Sequence, residues 1–259
     1  MPRFRSVFLS DVHLGSRWSK ASELSMFLSD LRCETMYLVG DFLDGSRQER
    51  FRSPQSPHRR VINDILRHAG SSAVTYVTGN HDAFLDRWFG GFFAGARIQE
   101  RAIHETANGR RFLVAHGDDF DRFVSGSANL EAFGNKVFSM LLWADAGVNR
   151  VMQSLGMKRK IFAGTIKNLF RTATGIIEQF EESLAEEAKS RGCDGIICGH
   201  THLPVLRKLR DLFYCNCGDW VQHCSVLVEH FDGRMEILRW EPRLGLKPLE
   251  LEPALKASV

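Results

Sequence analysis

No window of the 259-residue chain reaches the roughly 18 consecutive apolar residues that a bilayer-spanning helix needs, so the chain is expected to touch a membrane at most. The opening Met1-Pro2-Arg3-Phe4-Arg5 runs straight into a short apolar strand. It lacks the long apolar stretch and small-residue cleavage site of a secretory signal, and a cytoplasmic location is expected. Charge of one sign is also lacking. With 34 basic and 31 acidic residues the formal net charge is only +3, so no nucleic-acid partner is indicated by bulk charge. Cysteine is sparse, with 6 residues, at 33, 193, 198, 215, 217 and 224, and in a chain of cytosolic character these are read as buried thiols rather than a disulfide framework. The Cys215-x-Cys217 pair with Cys224 has the residue type for zinc, but it lies in a predicted strand and reads as small strand hydrophobes. Internal repeats and low-complexity segments are absent, which excludes a solenoid.

What is present is enough apolar sequence, 44% of residues, for one continuous α/β core. Three β-rich runs end in turn residues: Ser6 to Ser10 before Asp11, Met36 to Val39 before Gly40-Asp41, and Val74 to Thr78 before Gly79-Asn80. Helical periodicity from about Lys20 to Leu31 and from about Pro57 to Ala69 separates them, predicting a β-α-β-α-β opening with polar groups at the strands' carboxyl ends. Hairpins are then expected. Asn108-Gly109 joins a strand at Arg97–Thr106 to one at Arg110–Ala115, Val205–Leu209 pairs with Phe213–Asn216, and Asp232-Gly233 joins Ser225–Phe231 to Met235–Trp240. Between them, periodic Leu130, Phe133, Val137, Leu141, Val148 and Leu155 predict a helical insertion. The expected organisation is one domain over 1–241, a helical insertion over 122–191 inside it, and a poorly ordered tail over 242–259.

Five short polar motifs each follow a predicted strand: Asp11-Val12-His13, Gly40-Asp41-Phe42-Leu43-Asp44, Gly79-Asn80-His81-Asp82, His116-Gly117-Asp118 and Gly199-His200-Thr201-His202. Any one is a polar loop; the five in order are specific. Carboxylate, amide oxygen and imidazole suit Mn²⁺, Fe²⁺ or Zn²⁺ without any thiolate. His81 adjoins Asn80 and cannot easily reach the same cation, so it is read as a phosphate-stabilising or proton-donating group, with Asp82 orienting it. For Asp44 a structural role and a direct role stand equal, and the acidic run Asp118, Asp119 and Asp121 either closes the site or begins a helix near its N-terminus, the structural reading being favoured. His58, His68, His104, His223 and His230 stand outside the motifs and receive no role.

With these residues the chain resembles the calcineurin-like metallophosphoesterases, whose pattern D-x-H, G-D-x-x-D, G-N-H-D, H-G-D and G-H-x-H it matches from Asp11 to His202. The resemblance implies an α/β fold, an αββα sandwich of two mixed sheets flanked by helices. It also implies two divalent cations, Mn²⁺ above Fe²⁺ or Zn²⁺, and a phosphoester substrate. One cation would be held by Asp11, His13, Asp41 and His202 and the other by Asp41, Asn80, His116 and His200, with Asp41 bridging. Within that superfamily the chain is most similar to the UDP-2,3-diacylglucosamine diphosphatase-like branch of lipid A synthesis. The residues are Asp11 to Gly15, Tyr37 to Asp41, His116 to Asp121, Cys198 to His202 and Tyr214 to Trp220. That branch implies an acylated UDP-sugar as substrate, with Lys160, Lys167 and Arg171 of the insertion as substrate contacts. The apolar Phe138 to Trp143 beside these cations would then suit acyl chains or a peripheral membrane contact. In the best-known form of that diphosphatase the position of His81 is Arg; this chain keeps His. A metallophosphoesterase of nucleotides, cyclic nucleotides or phosphoproteins is the alternative.

Overall fold

The computed structural model describes residues 3–44, 48–120 and 178–249. The predicted insertion up to residue 177, including Lys160, Lys167 and Arg171, and also Asp121 lie outside the described residues. The chain divides into two compact units, one made of Met1–Asp118 with Ala185–Val259 and the other of Asp119–Leu184. The first carries the fold described below.

The opening is the β-α-β-α-β unit that the periodicity predicts: β1 (Arg3–Leu9), α1 (Ala21–Asp30), β2 (Arg32–Val39), α2 (Pro57–Ala69) and β3 (Ala73–Val77). Pro57 begins α2, where a missing N–H costs nothing. After β3 come β4 (Phe92–Phe93), β5 (Ala96–Gln99), β6 (Ala102–Glu105) and β7 (Arg111–Val114). A third helix over 178–190 precedes β8 (Gly195–Cys198), β9 (Val205–Leu209), β10 (Leu212–Asn216), β11 (Ser225–Glu229), β12 (Met235–Glu241) and β13 (Gly245–Pro248). These strands form an eight-stranded sheet in the order β13-β12-β11-β1-β2-β3-β5-β4 and a five-stranded sheet in the order β6-β7-β8-β10-β9. Both are mixed. β1, β2, β3 and β5 run parallel while β11 is antiparallel to β1, and β8 is parallel to β7 and β10 while β9 is antiparallel to β10.

Strict alternation along the central strands sorts the core into two layers. Val7, Leu9, Met36, Leu38, Val74 and Tyr76 face α1 and α2, where they pack with Leu24, Leu28, Val61 and Ile65. Phe8, Tyr37, Val39 and Val77 point the other way, onto Phe112, Val114, Ile197 and Cys215 of the second sheet. All six cysteines are free, and Cys215 and Cys217 are fully buried in this inter-sheet layer, as small hydrophobes would be. Burial accordingly pushes the Cys215 thiol above its ordinary range.

Two expectations are corrected. The single strand expected over Arg97–Thr106 breaks at Glu100-Arg101, so that β5 belongs to one sheet and β6 to the other. The buried positions 96, 98 and 104 stay in phase across that break, which is why the alternation carries no trace of it. Of the tail expected over 242–259, the described part to residue 249 turns back through Arg243, at φ 70°, and adds β13 to the edge of the eight-stranded sheet, and 250–259 lie outside the described residues. Pro248 is tolerated there because an edge strand has a side that needs no N–H.

Across the inter-sheet layer one buried carboxylate, Glu229 of β11, joins both sheets. It accepts from Arg5 Nη1 at 2.8 Å, Ser6 Oγ at 2.7 Å and the Ala107 N–H at 2.7 Å, and lies 2.9 Å from His104 Nε2. His104 Nδ1 in turn lies 3.2 Å from the Tyr37 hydroxyl. Burial alone would raise the Glu229 carboxyl, but the His104 imidazole and the other donors hold it at about 2, against an ordinary 4.5. A depressed carboxylate stabilises the fold above its unfolded pKa and loses that contribution as pH falls through the folded value. Melting temperature is therefore expected to drop between about pH 4.5 and 2. In Glu229→Gln, scanned by calorimetry, the melting temperature should start lower at neutral pH and fall less over that window.

Candidate metal centre

The loops after β1, β2, β3, β7 and β8 carry the five motifs, and the backbone at these strand ends is unusual. Asp11 (φ 51°), His13 (φ 48°), Asp41 (φ 49°), His200 (φ 67°) and His202 (φ 59°) are five of the nine non-glycine residues with positive φ among the described residues. Such conformations cost about 1–3 kcal/mol each and persist where the surroundings over-determine them. Here the loops hold one another. The Asp11 N–H donates to Gly40 O at 3.2 Å, His13 to Asp41 O at 2.8 Å, Leu14 to Phe42 O at 2.9 Å, and Gly199 to His116 O at 3.1 Å. Gly79 is required by close approach, since a Cβ there would stand 2.5 Å from His116 Cδ2 and 2.6 Å from Asp41 Oδ1.

Three side chains lie at the centre. Asp11, Asp41 and His116 are 0%, 3% and 2% exposed, and each offers a ligand atom within 4.8 Å of the other two. Asp11 Oδ2 accepts from Ser10 Oγ and from the His200 N–H at 3.0 Å, which leaves Oδ1 free to face the cluster. Asp41 Oδ1 accepts the His81 N–H at 2.8 Å, while Oδ2 lies 3.5 Å from His116 Nε2 and 3.8 Å from His13 Nε2. His202 Nε2 is 3.3 Å from Asp11 Oδ1. Rings gather around these atoms: His13 stands 4.8 Å from His81 and 5.3 Å from His202, and His116 stands 5.2 Å from His200, centroid to centroid.

The donor set fits cations. Asp11 Oδ1 and His116 Nε2 are buried and make no hydrogen bond to any described residue, a costly state for a carboxylate oxygen and a ring nitrogen unless something else binds them. His116 Nδ1 lies 3.2 Å from Val39 O, so that nitrogen carries a proton and Nε2 is the one turned inward, where it would give its lone pair to a cation once its own proton has left. Burial would lower the His116 imidazole, but the Asp41 carboxylate, with Asp11 behind it, holds its proton well above the ordinary range. Burial would likewise raise Asp41, yet His116, His13 and His81 keep it well below the usual carboxylate range. Burial lowers His13, leaving a neutral imidazole suited to ligation. In the absence of a cation a proton on His116 occupies the place a cation would take, so binding must release protons.

A family model described as calcineurin-like phosphoesterase matches residues 4–204, the span that contains every motif above. The chain belongs to that family. This calcineurin-like phosphoesterase is similar over most of its length to proteins named UDP-2,3-diacylglucosamine hydrolase. That of Porphyromonas gingivalis is 28% identical, covering 91% of this chain and 97% of the relative. That of Coxiella burnetii is 23% identical, covering 90% and 96%. Among solved structures, the phosphoesterase Yfce from E. coli aligns at 17% identity with a TM-score of 0.42, covering 89% and 95%. Membership makes the chain a phosphoester-hydrolysing enzyme of the metallophosphoesterase type.

Of the residues proposed from sequence, Asp11, His13 and His202 form one group with ligand atoms mutually within 4.8 Å, and His13, Asp41 and His81 another. His200 reaches the centre through its ring contact with His116, and Asn80 lies exposed in the loop after β3. Asp82 differs from expectation. It does not turn to His81: its buried Oδ2 accepts from the Phe42 N–H at 2.8 Å and the Tyr76 hydroxyl at 2.6 Å, and Oδ1 accepts the Gly79 N–H. It therefore clasps the second motif to the third. Burial, with the Asp41 charge second, pushes the Asp82 carboxyl up to about 6. Asp44 enters through its backbone, donating to Leu14 O at 2.8 Å, and Asp118 opens a 3-10 turn.

Sequence reasoning missed three supports. Ser10 holds Asp11 in place. Buried Asn216 donates from Nδ2 to Gly199 O at 2.7 Å and to Thr201 Oγ1 at 3.0 Å, clamping the last motif. Asp219 lies behind His202. The last two end β10 in Asn-Cys-Gly-Asp, the same strand-end signature as the other motifs, and that signal was there to be used.

Gly199 offers a direct test of this packing. A Cβ there would overlap Ser10 Oγ and come within 2.5 Å of Asp11 Oδ2. Gly199→Ala is expected to cost about 1–3 kcal/mol of stability and to weaken divalent-cation binding measured by calorimetric titration. Wild-type affinity in the variant would show that Asp11 is not held as described.

Proposed function

We propose that this phosphoesterase hydrolyses the pyrophosphate of UDP-2,3-diacylglucosamine, so that water enters, the P–O–P bond breaks, and UMP and the lipid monosaccharide 1-phosphate leave. The observation that carries the reading is near-full-length similarity to hydrolases named for that substrate. The Asp11, Asp41 and His116 cluster supports it, being suited to hard or borderline cations. Two bound cations, Mn²⁺ in preference to Fe²⁺ or Zn²⁺, would neutralise charge on the phosphate oxygens and make water a better nucleophile.

The chain's own residues then divide the work. Asp11, His13, Asp41 and His202 would hold one cation and Asp41, Asn80, His116 and His200 the other. His81 is exposed, its backbone N–H is tied to Asp41 Oδ1 and its ring stands against His13, which supports a role for its imidazole toward incoming phosphate. It would donate to a phosphate oxygen or to the leaving group. Lys160, Lys167 and Arg171 are proposed to meet the substrate, and the segment 122–191 to cap the site and to touch the cytoplasmic leaflet of the inner membrane, where a diacylated sugar resides. No helix among the described residues is long and apolar enough to cross a bilayer.

His81 itself favours a second reading. A phosphate leaving group, with a second pKa of about 6, needs little protonation, whereas an alkoxide does. An imidazole at this position suits an ordinary phosphodiester or phosphomonoester. Phosphorus NMR of reactions with the diacylated UDP-sugar and with simple phosphodiesters separates the two. The proposal expects UMP release from the lipid to dominate, and faster turnover of a soluble ester would replace it with the second reading. Asp41→Ala and His116→Ala should each lower kcat/KM at least about a thousandfold, the scale of losing a group that acts in the transition state.

A further inference from the structure

Behind the cation cluster lies a second buried carboxylate that the proposed ligand set does not use. Asp219 follows β10 and is 1% exposed. Its Oδ1 accepts three backbone N–H groups, from Val221 at 2.8 Å, Gln222 at 2.5 Å and His223 at 3.0 Å. Its Oδ2 lies 2.6 Å from His223 Nδ1 and 3.8 Å from His202 Nδ1. The loop that carries it is bound to the first motif, since the Trp220 N–H donates to Asp11 O at 3.2 Å. Asp219 itself is also tethered, its N–H donating to Ser225 Oγ at 3.1 Å. The carboxylate is thus held from several sides, with one oxygen aimed past His223 at His202.

His202 is bracketed. Its Nε2 faces Asp11 Oδ1, the orphaned oxygen of the cluster, at 3.3 Å, and its Nδ1 faces Asp219. An imidazole that gives a lone pair to a cation from Nε2 must keep its proton on Nδ1, and a carboxylate on that side fixes the tautomer, fixes the ring plane and raises ligand basicity. At 3.8 Å the contact is longer than a hydrogen bond and acts through charge, the carboxylate facing the Nδ1 side of the ring. His223 shares the same oxygen and keeps the carboxylate from turning away.

We propose that Asp219 is a positioning residue for the cation held by Asp11, His13 and His202, acting through His202 Nδ1, with His223 as its brace. The proposal rests on the cation pair of the functional reading but not on which phosphoester is cleaved. In Asp219→Asn the charge goes and the shape stays. Mn²⁺ binding to cation-free protein, followed by competition with a chromogenic chelator, is expected to show one of the two sites weakened about ten- to a hundredfold and the other unchanged. In a His202→Ala background, the same substitution is expected to add nothing. A full effect of Asp219→Asn in that background, or two unchanged affinities in a folded variant, overturns the proposal. So does equal loss of both sites in step with a lowered melting temperature. Wild-type protein that binds no Mn²⁺ removes the functional proposal and this one together. Should Asp219→Asn not fold, ¹⁵N spectra of wild-type protein loaded with Zn²⁺ decide the matter. A proton on His202 Nδ1 supports the role, and a proton on Nε2 contradicts it.

Discussion

Two carboxylates taken out of water side by side, Asp11 and Asp41, are the constraint around which the molecule is built. The penalty for burying an ion is several kcal/mol even after the protein relaxes, so ~5 kcal/mol or more must be offset locally. Backbone N–H groups from His200 and His81 and the Ser10 hydroxyl meet one oxygen of each. The remaining oxygens face each other's histidines across a gap that hydrogen bonds do not fill. Positive charge must enter there, as a proton on His116 or as cations. That excess of negative charge suits a divalent cation, the cofactor expected of a metallophosphoesterase.

The rest of the sandwich exists to hold these groups still. Parallel strands place Asp11, Asp41 and Asn80 at one end of the first sheet, and β7 and β8 bring His116 and His200 to the same end of the second. The strained backbone at Asp11, His13, Asp41, His200 and His202 is held by loops that bond to one another across both sheets. Asp82, Asn216 and Asp219 extend this principle outward. Asp82 and Asn216 are buried polar side chains that bond to backbone groups of the motif loops, and Asp219 is a buried carboxylate fixed by backbone N–H groups of its own loop behind His202. Glu229 does the equivalent at β11 and β6, tying the two sheets together where no chemistry occurs.

Much of this was legible in the residues alone. β1 and β2 read as short continuous apolar runs because these strands bury both faces, and turn residues mark their ends, so the placement of Asp11 and Asp41 could be read directly. The helix at Pro57–Ala69 matched because its start is marked by proline and its apolar stripe repeats at helical spacing. What escaped was long-range. The passage from β5 to β6 leaves the alternation in phase, so nothing local says that the chain has changed sheets. Asp82 beside His81 looks like its partner, and only the fold shows that its oxygens are taken by Phe42, Tyr76 and Gly79. Asp219 follows the β9–β10 pair, and only the folding back of that pair sets its carboxylate beside His202.

Anomalous diffraction from crystals grown with Mn²⁺, collected at the manganese edge, tests the central claim most directly. The account predicts two peaks about 3.5–4 Å apart, flanking Asp41, one beside Asp11, His13 and His202 and the other beside His116 and His200. A single peak away from Asp41, or none at full occupancy of added metal, would contradict it.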